Sequence, residues 1–174
     1  ENMANEESYL YIDVGGGSTE LSYFNNQALC FKQSFNIGTI RLLKNKVNTP
    51  EWDDLKNSIK KITQGQKEVV AIGSGGNINK VFSMSKRKEG KPLAFDLLQE
   101  YYKELSPLSV TERIEKYNLR EDRADVIVPA LQIYTRVMQW ANAREIYVPK
   151  IGLSDGLIKH LWNELQQNQP ALKT

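Results

Sequence analysis

The chain has 174 residues, 40% hydrophobic and 25% charged, which is enough to bury a core and describes one globular domain, at most two small ones. Its formal charge of +2 excludes nucleic-acid binding by bulk charge alone, since no concentrated basic patch backs it. No run approaches the ~18 apolar residues of a membrane span.

The first residues, Glu1-Asn2-Met3-Ala4-Asn5-Glu6-Glu7, carry neither the basic nor the apolar part of a signal peptide, so a cytoplasmic location is expected. Residues 8–14 (SYLYIDV), 19–24 (TELSYF) and 28–36 (ALCFKQSFN) then read as three strands of an antiparallel meander. Turns at Gly15-Gly16-Gly17 and Asn25-Asn26 separate them. The single cysteine, Cys30, excludes an internal disulfide and a thiolate metal site; with Leu29 and Phe31 beside it, it reads as a packed strand residue.

The first turn is the chemically informative stretch. Residues without a Cβ can take positive φ and leave room for a close approach, so Gly15, Gly16 and Gly17 are expected to converge their N–H groups on an anion. The hydroxyls of Ser18 and Thr19 add donors, while Asp13 and Glu20 bracket the mouth with carboxylates that phosphate alone would repel. A divalent cation reconciles the two, because Mg²⁺ sits between one or two carboxylates and substrate phosphates. A tight hairpin with polar decoration is the alternative reading.

Next, Ile40, Leu42, Leu43 and Val47 follow a helical pattern, and Thr49 is expected to cap a second helix with Pro50 at its first position. Trp52, Leu55, Ile59 and Ile62 keep helical spacing in that second helix. Residues 68–72 (EVVAI) read as a buried central strand running into Gly73-Ser74-Gly75-Gly76-Asn77, and from there into the helical positions Ile78, Val81 and Phe82. A glycine turn at a helix start is a second anion-site signature, since free N–H groups and the helix dipole act together. Both turns follow apolar strands, and strands of one sheet deliver their ends to a common edge.

The basic stretch Lys86-Arg87-Lys88-Glu89-Gly90-Lys91 reads as a solvated loop, with anion steering as the alternative. A helical insertion over residues 93–118 follows: Phe95, Leu98, Tyr101, Tyr102 and Leu105 mark one helix, and Ser109-Val110-Thr111-Glu112 is a capping box opening another. Arg120, Arg123 and Asp125 read as helix-start ion pairs. The longest helix carries the wide apolar stripe Ile127, Leu131, Tyr134, Val137, Met138 and Ala141, and Pro129 predicts a kink or a broken first turn there. A last strand, Ile146-Tyr147-Val148, leads to the turn 152–156 and to a helix with Leu157, Ile158, Leu161 and Trp162. His160, the sole histidine, has no second ligand type near it in sequence and reads as a surface residue. The order βββ-α-β-α, with an insertion and a closing β-α, defines an α/β domain with a mixed sheet of five strands.

Five segments together resemble the exopolyphosphatase and guanosine pentaphosphate phosphohydrolase (Ppx/GppA) family: D-V-G-G-G-S-T-E from Asp13, G-T-I-R-L from Gly38, I-G-S-G-G from Ile72, E-D-R-A-D-V from Glu121 and G-L-S-D-G-L from Gly152. The resemblance implies the actin-like ATPase fold, in which two ribonuclease-H-like lobes face each other across a cleft, and it covers the second lobe only. It implies a single domain over residues 1–174, helices on both faces of the sheet, and the first lobe of the same protein as partner. It also implies that Asp13 and Glu20 are catalytic and hold Mg²⁺ or orient water. The amides of Gly15, Gly16, Gly17, Ser18 and Thr19 would bind phosphate, and Gly73, Ser74, Gly75, Gly76 and Asn77 a neighbouring phosphate. The implied substrate is inorganic polyphosphate or guanosine pentaphosphate, attacked in line by water. The family's general base is a glutamate of the first lobe, so this lobe alone is expected to be inactive. Neither nucleic acid nor membrane is implied as a partner, and a homodimer is left open. Ala130 stands where the family usually has Gly, and Ser154 where it often has Arg, which bears on the role of the turn at 152–156. The competing reading is a nucleotide-binding or regulatory lobe of the same fold without hydrolysis; Lys80, Lys86, Arg87 and Lys88, without a purine fingerprint, favour the hydrolase.

Overall fold

Alternation along the first strand organises the architecture. The computed structural model of the chain describes residues 8–26, 28–66 and 68–149. In β1 (Ser8–Val14), Leu10, Ile12 and Val14 are buried on one face, while Tyr11 and Asp13 turn to the other, as the two-residue period of a strand requires. β1 pairs antiparallel with β2 (Thr19–Asn25), which pairs in turn with β3 (Ala28–Phe35), so the expected meander forms. On its other side β1 pairs in parallel with β4 (Val69–Ser74). Beyond β4 lie β6 (Glu145–Tyr147), parallel to it, and β5 (Leu93–Ala94), antiparallel at the edge. The sheet order is β3-β2-β1-β4-β6-β5.

This mixed sheet has six strands among the described residues, one more than expected. The addition, β5, is two residues long, too short for any alternation to reveal it. Cys30 is a second correction: it is exposed, because β3 is an edge strand and most of its side chains face away from the core.

The helices gather around α7 (Ile127–Ala141), which packs on β1 and on α1 (Thr39–Leu43), α2 (Thr49–Ile62), α3 (Gly76–Met84) and α4 (Phe95–Leu105). Its stripe Ile127, Leu131, Tyr134, Val137, Met138 and Ala141 is buried throughout, and each Leu or Ile so buried contributes about 1.5–3 kcal/mol. Leu10, Ile12 and Val14 join Leu55, Ile59 and this stripe in one apolar cluster. Tyr9 and Ile72, on the opposite sheet face, are buried as well. Pro129 is the third residue of α7, where no intrahelical acceptor awaits its missing N–H, and Asp125 and Val126 separate α7 from the short α6 (Glu121–Ala124). The first turn of α7 is therefore helical through Pro129, and the interruption falls before it, at Asp125 and Val126.

Two helix starts differ in their outcome. α5 (Val110–Tyr117) has its capping box, with the Ser109 amide donating to Glu112 Oε2 at 2.7 Å and the Glu112 amide to Ser109 Oγ at 3.3 Å. The cap of α2 is Asn48 rather than Thr49: the Asn48 amide donates to Glu51 Oε2 at 3.1 Å, one residue earlier than expected. α1 is only one turn longer than its cap and stops at Leu43, well short of Val47. The insertion, residues 93–118, is part of the same core, since Leu93, Leu98 and Leu105 belong to the cluster. Arg113 ties the end of α4 to α6, donating to the carbonyls of Leu105 at 3.0 Å and Ala124 at 2.9 Å. The turn expected at 152–156 and the helix with His160 lie outside the described residues. No helix among the described residues is long and apolar enough to cross a membrane.

Candidate active site

The register of β1 and β2 places Asp13 directly opposite Glu20, and side chains of such a pair share one face with Cβ atoms about 4.5–5.5 Å apart. Two like charges at that spacing repel unless something screens them. Glu20 Oε1 already accepts from Ser18 Oγ at 2.6 Å and Ser34 Oγ at 3.1 Å. The parallel register opposes Asp13 to Ser74 on its other side. The carboxylate of Asp13 therefore stands between the two glycine turns.

Of the two freedoms that glycine offers, the first turn uses close approach and not positive φ. None of Gly15, Gly16 and Gly17 lies in the positive-φ region, so their glycine identity is not a matter of backbone conformation. Close approach explains two of them: a Cβ on Gly16 would come 3.1 Å from Ile40 Cγ1, and one on Gly15 would come 3.3 Å from the Ser18 carbonyl oxygen. A Cβ on Gly17 would meet nothing within 4 Å, so that residue leaves the mouth open. The carbonyls of Gly15 and Gly16 accept from the amides of Thr39 at 3.0 Å and Ile40 at 2.9 Å, at the start of α1. The hydroxyl of Thr19 is no ligand either. Thr19 is fully buried and its Oγ1 donates to the Ile37 carbonyl at 2.6 Å, because it sits on the core face of β2 opposite Val14.

In the second turn the glycines divide again. Gly73 faces the core, where a Cβ would come 2.8 Å from Ile146 Cδ1 and 3.3 Å from Tyr134 Cε1; its smallness serves packing. Gly75 has φ +109° and ψ 160°, a region essentially restricted to glycine. Its Cβ position lies 3.3 Å from Asp13 Oδ1 and 3.5 Å from the Val14 carbonyl oxygen, so the two turns touch at Asp13. Gly76 opens α3, and a Cβ there would lie 2.7 Å from both Nη1 and Nη2 of Arg123. Arg123 Nη1 makes only a long 3.4 Å bond to Asn77 Oδ1, and its Nε is 3.8 Å from Asp122 Oδ2. The helix-start ion pair is instead Arg120 with Asp122, at 3.0 Å. Beneath the turn, the Tyr134 hydroxyl donates to the Ser74 carbonyl at 2.7 Å. Burial, with the Asp13 carboxylate adding to it, pushes this phenol far above its ordinary range, so it stays a proton donor.

Arg123 and Tyr134 are thus brought to the site, as are Arg41, whose Nε donates to the Gly17 carbonyl at 2.7 Å, and Gly38, whose Cβ position falls 2.6 Å from the Gly17 carbonyl carbon, although none was expected there. Two of the resemblance segments contain Gly38, Arg41 and Arg123, and that is the signal that pointed to them. Lys80 binds the Asn118 carbonyl at 3.2 Å, and residues 86–90 form an exposed loop.

A mixed sheet with parallel neighbours β1 and β4, each ending in a glycine turn at one edge, defines a ribonuclease-H-like lobe of the actin-like ATPase class. The chain matches the Ppx/GppA phosphatase family over residues 1–164, and it belongs to that family. A crystal structure of the Aquifex aeolicus family member is similar with a TM-score of 0.73 at 20% identity, over 95% of this chain and 58% of that one. An exopolyphosphatase from Cytophaga hutchinsonii is similar with a TM-score of 0.72 at 20% identity, over 91% of this chain and 58% of that one. At such identities the likeness shows the fold, and the chain spans 58% of the length of either relative. No curated protein sequence matches it.

Proposed function

We propose that this chain is one half of a phosphoanhydride hydrolase that acts on inorganic polyphosphate or guanosine pentaphosphate, with Mg²⁺ as cofactor and a facing lobe that completes the cleft. One observation carries the reading: a Cβ placed on Gly75 would lie 3.3 Å from Asp13 Oδ1, so the two glycine turns meet around a carboxylate.

The residues fit Mg²⁺. Asp13 and Glu20 are opposed oxygen donors on one face, and no cluster of three or more His, Cys, Asp or Glu exists among the described residues. Such a pair suits an ion whose remaining ligands are water and substrate phosphates. When bound, the ion supplies positive charge against the phosphate oxygens. The chain's own part is positioning. The amides of Gly16, Gly17 and Ser18 hold the terminal phosphoryl group, the expected Gly15 amide being taken by the Ser18 carbonyl at 2.9 Å, and the start of α3, with Arg123 beside it, holds the next phosphate. Water attacks phosphorus in line: the new P–O bond forms as the bridging P–O bond breaks, and the departing phosphate takes the electron pair. The proton of the water passes to a base on the facing lobe. Catalysis of this kind consists mostly of positioning and charge stabilisation.

The test is phosphate release from long-chain polyphosphate and from guanosine pentaphosphate by the two-lobed protein, with and without Mg²⁺. Asp13→Asn is expected to lower the Mg²⁺-dependent rate on the order of 10²-fold. Tight nucleotide binding with no release of phosphate from either substrate would favour the non-hydrolytic lobe instead.

A further inference from the structure

One short element takes three successive carbonyls of the phosphate turn. The Gly15 carbonyl accepts from the Thr39 amide at 3.0 Å, the Gly16 carbonyl from the Ile40 amide at 2.9 Å and the Arg41 amide at 3.3 Å, and the Gly17 carbonyl from Arg41 Nε at 2.7 Å. The approach is close: a Cβ on Gly38, the residue before α1, would lie 2.6 Å from the carbonyl carbons of both Gly16 and Gly17.

In a planar trans peptide the C=O of one residue and the N–H of the next point in opposite directions. Turning the carbonyls of Gly15, Gly16 and Gly17 toward α1 therefore turns the amides of Gly16, Gly17 and Ser18 away from it. None of these three amides has an acceptor among the described residues. The first two carbonyls are held by backbone amides, which the start of any helix offers. The third is held by a side chain. No other donor among the described residues reaches the Gly17 carbonyl, so the orientation of the Ser18 amide depends on the identity of residue 41.

We propose that Arg41 is a positioning residue of the phosphate turn, its Nε–H holding the Gly17–Ser18 peptide plane so that the Ser18 amide faces the bound phosphate. The proposal rests on the phosphate-binding reading of this turn. Lysine is the informative substitution: it keeps the charge but places a carbon where Arg carries Nε.

The experiment compares the wild-type chain with Arg41→Met and Arg41→Lys. Calorimetric titration with tripolyphosphate and Mg²⁺ reads affinity, the ¹⁵N–¹H resonances of Gly16 and Ser18 read the turn without ligand, and melting temperature reads the fold. Both variants are expected to bind tripolyphosphate roughly 10- to 100-fold more weakly, the range for one charge-assisted hydrogen bond. Both should shift or broaden the Ser18 amide before ligand is added, with Gly16 and the melting temperature unchanged. Wild-type affinity in Arg41→Lys beside a loss in Arg41→Met would overturn the proposal in favour of a direct charge contact with phosphate. An unmoved Ser18 amide in Arg41→Met would overturn it too, because the plane would then be held without the guanidinium. If the wild-type chain binds no tripolyphosphate, the phosphate reading of the turn fails, while the ligand-free Ser18 resonance still decides the role of Arg41.

Discussion

Replacing Gly75 by alanine tests whether the second turn places Asp13. The native backbone at this residue, φ +109° and ψ 160°, costs an L-residue roughly 1–3 kcal/mol. For a chain of this size each kcal/mol lowers the melting temperature by about 2–4 °C, so Gly75→Ala is expected to melt about 2–12 °C lower. The new methyl would also sit 3.3 Å from Asp13 Oδ1, displacing the carboxylate or stripping water from it. Mg²⁺-dependent binding of tripolyphosphate should therefore fall along with stability. Two further variants separate these effects. Gly65 also has positive φ, +80°, but a Cβ there meets nothing within 4 Å, so Gly65→Ala should lower the melting temperature by a few degrees, about 1 kcal/mol, and leave binding intact. Gly17 has neither strain nor a neighbour within 4 Å; Gly17→Ala should melt with the wild type and bind more weakly, because its methyl projects into the mouth. Calorimetry for stability and isothermal titration for binding give both readouts on the same samples. The reasoning is refuted if Gly75→Ala binds like the wild type, or if Gly65→Ala loses as much affinity as Gly75→Ala.

Three other outcomes follow from the geometry. Asp13→Asn and Glu20→Gln should each cut turnover of the two-lobed protein on the order of 10²-fold while leaving the melting temperature equal or higher, since directly opposed like charges are relieved; a large drop in melting temperature with intact turnover would show structural acids. Arg123→Met should weaken polyphosphate binding by about 1.5–3 kcal/mol, and Arg123→Lys should fail to restore it because the guanidinium edge against Gly76 is lost; equal binding in all three forms would remove Arg123 from the site. The lobe alone should release phosphate from polyphosphate at least about 10²-fold more slowly than the two-lobed protein, since the proposed base belongs to the facing lobe; rates within about tenfold would place a base inside this chain.

Local patterns account for what was legible in the sequence. The alternation of Leu10, Ile12 and Val14, the apolar stripe of α7 and the Ser109–Glu112 box each lie within a few residues of one another, and each element formed as its pattern required. The two glycine turns meet because β1 and β4 are parallel neighbours, an outcome contained in the strand–turn–helix order. The contacts that escaped are tertiary. Arg123 reaches Gly76 from another helix, and nothing in E-D-R-A-D-V states whether its arginine pairs with Asp122 or crosses to the turn. Thr19 and Ser18 are neighbours with similar chemistry, yet strand alternation sends the first into the core and leaves the second beside Glu20.

The glycines carry that distinction furthest. In sequence Gly15, Gly16, Gly17, Gly73, Gly75 and Gly76 look alike, and positive φ and close approach are equally open to each. Only Gly75 among these six needs positive φ. Gly16 lets Ile40 come close, Gly73 lets Ile146 and Tyr134 close over the strand, Gly76 admits the Arg123 guanidinium, and Gly17 keeps space empty. On the proposed reading the turn is shaped from behind: its amides point outward because α1 holds its carbonyls, and glycine is what allows a helix to come near enough to do so. If that turn binds phosphate as proposed, the G-T-I-R segment that begins at Gly38 is as much a part of the site as the G-G-G segment before it, although no atom of it need touch the substrate.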